Sequence, residues 1–287
     1  MRLKLRCTAL LALALLSLPA FAAIQARPGT VNYVEGRAYL QGMLIRNRDV
    51  GTDSLNPGSI LSTRNGKAEI LLTPGVFLRV GSHSTVRMIS PDITHTQVQL
   101  LRGRAGVEVD EIHPENDLQI LDGGVSTRLL KTGYYEFDTH PAMARVFSGE
   151  ASVQEIAGRS TTVKGHHQIR LEPGVASRSV GFHIQDAQND LYNWSRLRSK
   201  YLAENSRQIA REYAGASGYY PGWYWDPYAW DYAYLAPGPF WSPFSWGYSP
   251  PMWGGFYGGY GWGGDFDGDG GGFRGGGGGF RGGGARH

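Results

Sequence analysis

Val76-Phe77-Leu78-Arg79-Val80, flanked by Ala68-Glu69-Ile70-Leu71 and followed by Val107-Glu108-Val109, decides the fold class. Side chains alternate across an extended chain with period two, so each stretch presents one apolar and one polar face. Val31-Asn32-Tyr33-Val34, Val98-Gln99-Leu100 and Tyr135-Glu136-Phe137 carry the same alternation. Turn signals separate them at short intervals: Glu35-Gly36, Asn56-Pro57-Gly58, Asn65-Gly66, Pro74-Gly75, Arg102-Gly103 and Ser148-Gly149. Short strands with frequent turns, and no helical pattern between them, predict an all-β sandwich or roll of antiparallel strands over 28–172. A unit of Gly, charge, Ala, any residue and an apolar residue recurs at Gly36, Gly66, Gly103 and Gly149. Its uneven spacing fits hairpin architecture better than a solenoid.

The first 22 residues read as an export leader. Arg2, Lys4 and Arg6 precede an apolar run from Thr8 to Leu18, Pro19 breaks it, and Ala20-Phe21-Ala22 supplies small residues for cleavage. The run is shorter than the ~20 residues of a spanning helix. Cys7 is the only cysteine and leaves with the leader, so disulfides, cysteine metal sites and a cysteine nucleophile are excluded from the remainder. The leader holds three of the 28 basic residues. The other 25 equal the 25 acidic ones, so the apparent net charge of +3 is a property of the leader. No transmembrane segment is expected after cleavage.

Beyond the β region, Asp190–Tyr213 reads as a helix. Leu191, Trp194, Leu197, Tyr201, Leu202, Ile209 and Tyr213 form its apolar stripe, Asp190 its cap, and Arg196, Arg198, Lys200, Arg207 and Arg211 a solvated basic side. Residues 214–287 then hold 24 of the 42 Gly and 22 of the 35 aromatic residues. Few aliphatics and many Pro and Gly predict a disordered low-complexity tail that builds no core of its own. Its rings have three fates open to them: lying on the β domain, self-association, or a partner such as cell-wall polysaccharide. The expected organisation is a leader at 1–22, a β domain at 23–180, an amphipathic helix at 186–213 and the tail at 214–287. Trp194, Trp223, Trp225, Trp230, Trp241 and Trp246 are the candidate partner contacts.

The β region resembles the FecR-type domain of bacterial envelope proteins. The residues that carry the likeness are Gly29-Thr30-Val31, Leu55-Asn56-Pro57-Gly58-Ser59-Ile60-Leu61-Ser62-Thr63, Gly66-Lys67-Ala68, Pro74-Gly75-Val76-Phe77-Leu78-Arg79-Val80, Leu100-Leu101-Arg102-Gly103-Arg104-Ala105 and Val146-Phe147-Ser148-Gly149-Glu150-Ala151-Ser152-Val153. Such proteins join a cytoplasmic sigma-regulating segment to a periplasmic part that touches an outer-membrane transporter. Only a few residues precede the apolar run here, so the resemblance implies an exported interaction module without that cytoplasmic arm. The partner it implies is an envelope protein, such as an outer-membrane transporter.

Chemistry-bearing motifs are sparse. Asp265-Phe266-Asp267-Gly268-Asp269-Gly270 copies half of a calcium loop, but Gly276 stands where the bidentate Glu belongs. His166-His167 would face opposite sides of a strand. Asp110-Glu111 and Asp122 are the only carboxylates worth weighing for glycoside chemistry. The Arg-Gly-Gly runs at 274 and 281 lie beside acids and do not suggest nucleic acid. The expectation is a non-enzymatic protein without cofactor or metal. Mass spectrometry of the exported protein is expected to read a mature N-terminus at Ala23 or Ile24; an intact leader would remove the export reading.

Overall fold

The structure, a computed structural model, describes residues 27–154, 160–173, 178–212, 222–226, 231–235 and 240–248. The leader and the Asp265–Gly270 motif lie outside the described residues.

Fifteen strands form one curled sheet. They are β1 (Thr30–Leu40), β2 (Met43–Leu44), β3 (Ile60–Thr73), β4 (Val76–Val80), β5 (Thr85–Pro91), β6 (His95–Arg102), β7 (Arg104–Val109), β8 (Asp117–Asp122), β9 (Val125–Leu129), β10 (Gly133–Thr139), β11 (Ala142–Val146), β12 (Glu150–Gln154), β13 (Ser160–Lys164), β14 (His167–Arg170) and β15 (Val180–Gly181). Helices α1 (Ile184–Ala187) and α2 (Asp190–Glu212) follow, then two small hairpins, β16 (Gly222–Asp226) with β17 (Asp231–Leu235) and β18 (Phe240–Trp241) with β19 (Gly247–Tyr248). This is the all-β roll with one substantial C-terminal helix that the alternation predicts.

The long strand β3 joins the two halves of the sheet. Its first residues, Ile60–Ser62, pair with β5, and Ala68–Thr73 pair with β4. β1 runs antiparallel along β3 from Leu71 to Leu61, with register shifts between Val31 and Tyr33 and between Gly36 and Ala38. From β5 the order continues through β6, β8, β9, β12 and β13; from β4 it continues through β7, β10, β11, β14 and β15. One pairing departs from the antiparallel expectation: β6 and β8 are parallel, because β7 crosses to the other half between them. The inward side chains of both halves meet in a single core that includes Leu61, Ile70, Leu78, Val107, Ile120, Phe137 and Val153. Curling the sheet onto itself covers these residues without a second domain.

Two boundaries differ from the sequence reading. Asn189, not Asp190, caps α2: its Oδ1 accepts the Tyr192 amide at 3.0 Å. Asp190 sits in the first turn and pairs with Lys67 at 3.0 Å. The predicted disorder from 214 onward does not hold over 222–226, 231–235 and 240–248. These stretches pair and pack because their rings find apolar partners on the sheet and on α2 as well as among themselves.

The β8–β9 hairpin turns through Gly123-Gly124 and carries Asp122 inward. Burial, reinforced by Asp138 and only partly offset by the Gly123 amide, pushes Asp122 up to about 7. The folded chain therefore holds a proton that the unfolded chain releases near pH 4. Stability from this group is complete below pH 4 and declines as pH rises towards and through 7. Asp122→Asn is expected to raise stability at pH 8 by on the order of 2 kcal/mol and to leave it unchanged at pH 4. Urea denaturation at the two pH values measures this; an equal effect at both would refute it.

Candidate functional site

The outer face of β3, β4, β7 and β10 carries charge. Cross-strand pairing places Tyr33, Glu69, Arg79, Gly106 and Glu136 in one row and Leu71, Phe77, Glu108 and Tyr134 in the next. Gly106 leaves the gap that the Tyr134 hydroxyl occupies. A Cβ at 106 would stand 2.4 Å from that oxygen. Alternation alone assigns this face to water, yet Glu69, Arg79, Glu108 and Glu136 are all buried. Helix α2 and the β16–β17 hairpin lie over them.

The contact is an alternating chain of five charges. Glu108 pairs with Arg79 through its Nη1. Arg79 Nε donates to Glu69 Oε2 at 2.7 Å. Arg198 of α2 donates through Nη2 to Glu69 Oε1 at 3.0 Å and to Asp231 Oδ2 of β17 at 2.6 Å. The Arg198 guanidinium also lies 3.9 Å from the Tyr33 ring centre, a cation–π contact. Neutral donors fill remaining positions: Ser199 reaches Glu108 Oε1 at 2.5 Å, and Asn32 reaches Glu69 Oε1 at 2.6 Å. Asn32 Oδ1 accepts the Tyr232 amide at 3.2 Å, tying β1 to β17. At the far side, Asn189 donates to Glu136 Oε2 at 2.7 Å, and the Tyr134 hydroxyl lies 3.0 Å from both Glu136 Oε1 and Ser195 Oγ.

Two arginines serve three carboxylates, and the titration behaviour follows. Burial favours the neutral acid at Glu69, but Arg198 and Arg79 overcome it and hold the carboxyl down to about 2. Asp231 has one arginine and faces Glu69 as well, so burial prevails and pushes it up to about 6. Asp110, held by the Tyr248 hydroxyl at 3.3 Å, is pushed up by burial and by Glu108. Burial raises Glu136 too, against the pull of Asn189 and Tyr134.

The helix stripe is rotated from the predicted one. Leu191, Trp194, Leu202 and Ile209 are buried, as expected, but Arg198 joins them, and Leu197 and Tyr201 are 48% and 57% exposed. The reason is the charged sheet face: it selects Ser195, Arg198 and Ser199 rather than leucines to meet it. Tyr213 lies outside the described residues.

The six tryptophans separate sharply. Trp194 is buried, with its ring nitrogen donating to Glu35 at 2.9 Å. Trp223 is buried among Phe77, Tyr234 and Tyr248. Both are core residues and unavailable to a partner. Trp225 is half-buried, edge-on to Tyr232. Trp246 is half-buried and sits 5.9 Å and 5.4 Å from the charges of Arg196 and Lys200, donating to the Arg196 carbonyl at 3.2 Å. Trp241 is 69% exposed. It pairs with Gly247 across the last hairpin, and a Cβ at 247 would stand 2.9 Å from its ring, so the glycine lets the ring lie flat and leaves its other side open. Trp230 lies outside the described residues.

The remaining sequence candidates are dispersed. Asp110 is enclosed with Tyr248, whereas neighbouring Glu111 is at the surface with His113. Asp122 is in the β8–β9 turn. His166 lies in a turn, and His167 Nδ1 is 2.9 Å from the Gly165 carbonyl. Among the described residues, no group of three metal-ligating side chains converges, and no helix is long and apolar enough to cross a membrane.

No protein-family model matches the chain, and no curated protein matches it. Two crystal structures, each of a protein classed as an anti-sigma factor from Parabacteroides distasonis ATCC 8503, are similar to it. The 1.65 Å structure is 11% identical with a TM-score of 0.38, over 49% of this chain and 64% of that one. The 2.50 Å structure is 10% identical with a TM-score of 0.37, over 53% and 72%.

Arg198→Met leaves Glu69 and Asp231 facing each other without their shared cation. It is expected to lower stability by about 3 kcal/mol or more, read by urea denaturation at pH 7. A loss below about 0.5 kcal/mol would show that the buried chain of charges does not hold α2 in place.

Proposed function

We propose that this chain is a non-enzymatic, exported interaction module of the bacterial cell envelope, with a FecR-like β domain. It engages another envelope protein through the outer side of α2 and the last hairpin. The carrying observation is Trp241, whose ring is backed by Gly247 and open to solvent. Leu197 and Tyr201 add exposed apolar surface on α2, and Trp246, in the loop of the last hairpin, has Arg196 and Lys200 of α2 beside it. Exposed aromatics with neighbouring arginine are the side chains that dominate protein contacts. The non-enzymatic reading is supported by the state of the titratable groups. Glu69, Arg79, Arg198 and Asp231 are consumed in internal pairs beneath α2.

A second reading is contact with cell-wall or extracellular polysaccharide. The flat, single-sided exposure of Trp241 favours it, because such a ring can stack on the apolar face of a sugar. Deleting 214–287 cannot distinguish these readings, since it also removes Asp231, Trp223 and Tyr248 from the interior. Trp241→Ala is the cleaner test.

Thermal unfolding is expected to shift by less than about 2 °C, because little of the ring is buried. Co-purification of an envelope protein, identified by mass spectrometry, is expected to fall about tenfold, a cost of ~1.4 kcal/mol. Loss of sedimentation with insoluble peptidoglycan instead would select the polysaccharide reading. Full retention of both would overturn the assignment of this surface.

A further inference from the structure

The described residues bury more acidic than basic side chains. Among the described residues, seven carboxylates are buried, against three cations, Lys67, Arg79 and Arg198. A sequence balanced in charge beyond its leader thus folds with a cationic surplus on its surface. One group of its exposed cations lies where β1, β3, β5 and β6 adjoin.

There four neighbouring strands bring together Arg37 within β1, Arg64 within β3, His83 just before β5 and Arg102 at the end of β6. The backbone fixes their adjacency. Gly36 pairs with Gly66, the His83 amide donates to the Arg64 carbonyl at 3.0 Å, and Thr85 pairs with Arg102. All four residues are exposed. Among the described residues, none of the three arginines lies within 4.0 Å of a carboxylate. The acids close by are already engaged: Glu35 by Lys67 at 3.9 Å and the Trp194 ring nitrogen, and Asp138 by Arg104 Nε at 3.0 Å. His83 also adopts a left-handed backbone, φ 57°, which a residue with a side chain occupies at a cost. Glycine would relieve that strain.

We propose that this rim is a docking site for an acidic polypeptide segment of a partner. Guanidinium groups take carboxylates in a two-pronged geometry that an ammonium cannot match. Neighbouring strands stand ~4.8 Å apart, and same-side residues of an extended peptide recur every ~7 Å. Carboxylates spaced two residues apart on an extended partner therefore reach successive cations of the rim. The site is separate from Trp241 and does not depend on the role given to that residue.

The probe is a fluorescein-labelled decapeptide of alternating Asp and Gly, titrated with the full exported chain and read by anisotropy. Binding is expected to weaken at least tenfold in Arg64→Ser/Arg102→Ser, and to fall steeply between 0.05 and 0.5 M NaCl as exposed charges are screened. Arg170→Ser, which removes an exposed charge on β14 in the other half of the sheet, is expected to leave binding unchanged. His83→Gly is expected to weaken binding while keeping or raising the melting temperature; a merely structural histidine would not separate the two. Failure of the double variant to weaken binding, or an Arg170→Ser effect of equal size, would overturn the proposal. Tight, rim-dependent capture of dextran sulfate without capture of the peptide would also overturn it, and would assign the rim to an anionic polysaccharide.

Discussion

The alternating chain Glu108–Arg79–Glu69–Arg198–Asp231 is the constraint on which the outer layer of the molecule depends. It links β7, β4, β3, α2 and β17 through the ion pairs that join them. Buried ion pairs are poor sources of net stability, because desolvation offsets most of their attraction. What this one supplies is position. Arg198 satisfies Glu69 and Asp231 together only when α2 lies at one rotation over β3 and the hairpin meets it at one register. A leucine in its place would tolerate sliding; a guanidinium between two buried carboxylates does not. The Ser199 and Asn32 bonds narrow the arrangement further by filling lone pairs that a shifted helix would strand.

The free energy comes from apolar burial beside that chain. Leu71 and Phe77 project from the sheet between the charged residues, and Leu202, Ala203, Trp223, Tyr232 and Tyr248 close over them. Fully burying one large apolar side chain is worth roughly 1.5–3 kcal/mol, so this second core is a source of stability that the charges beside it are not. Charges fix the geometry and aromatics hold it. Neither works alone: without the hairpin, Phe77 and Glu69 would both face water along the edge of α2.

The same division explains what could be read from the sequence. The inward faces of the strands were legible because alternation is a local property: Val76, Leu78 and Val80 need only a turn at each end to declare themselves. The outward faces were not. Glu69, Arg79 and Glu108 have the pattern of a solvated face, and nothing within ten residues of any of them shows that a helix from 190 onward lies on top. Arg198 was misread for the same reason, as one more cation on a basic helix. A faint signal existed in Ser195, Ser199 and Ser206, small polar residues at helical spacing on the side that also carries Leu191 and Leu202. Such a stripe suits a polar surface better than an oily one. Trp223, Tyr232 and Tyr248 were hidden by composition: Pro and Gly around them weaken every periodic signal, and their packing partners are Phe77 and Leu202, far away in the chain. Among the candidate contacts, Trp194 and Trp223 proved to be interior. Only the pairing of Trp241 with Gly247, a feature of register rather than composition, separates it from them.

Spending tryptophans on the interior has a consequence for recognition. An aromatic segment that remained loose would contact partners with an ordering cost for each ring it immobilised. Here the neighbouring rings are already held by Asp231, Arg198 and the sheet, and the last hairpin is anchored through Tyr248 to Asp110. Trp241 is thereby carried on a fixed support. Its backbone is paired and its inner face rests on Gly247, so little freedom remains to be lost when its outer face is covered. The buried charges set α2 and the β16–β17 hairpin, and Tyr248 of the last hairpin packs against both.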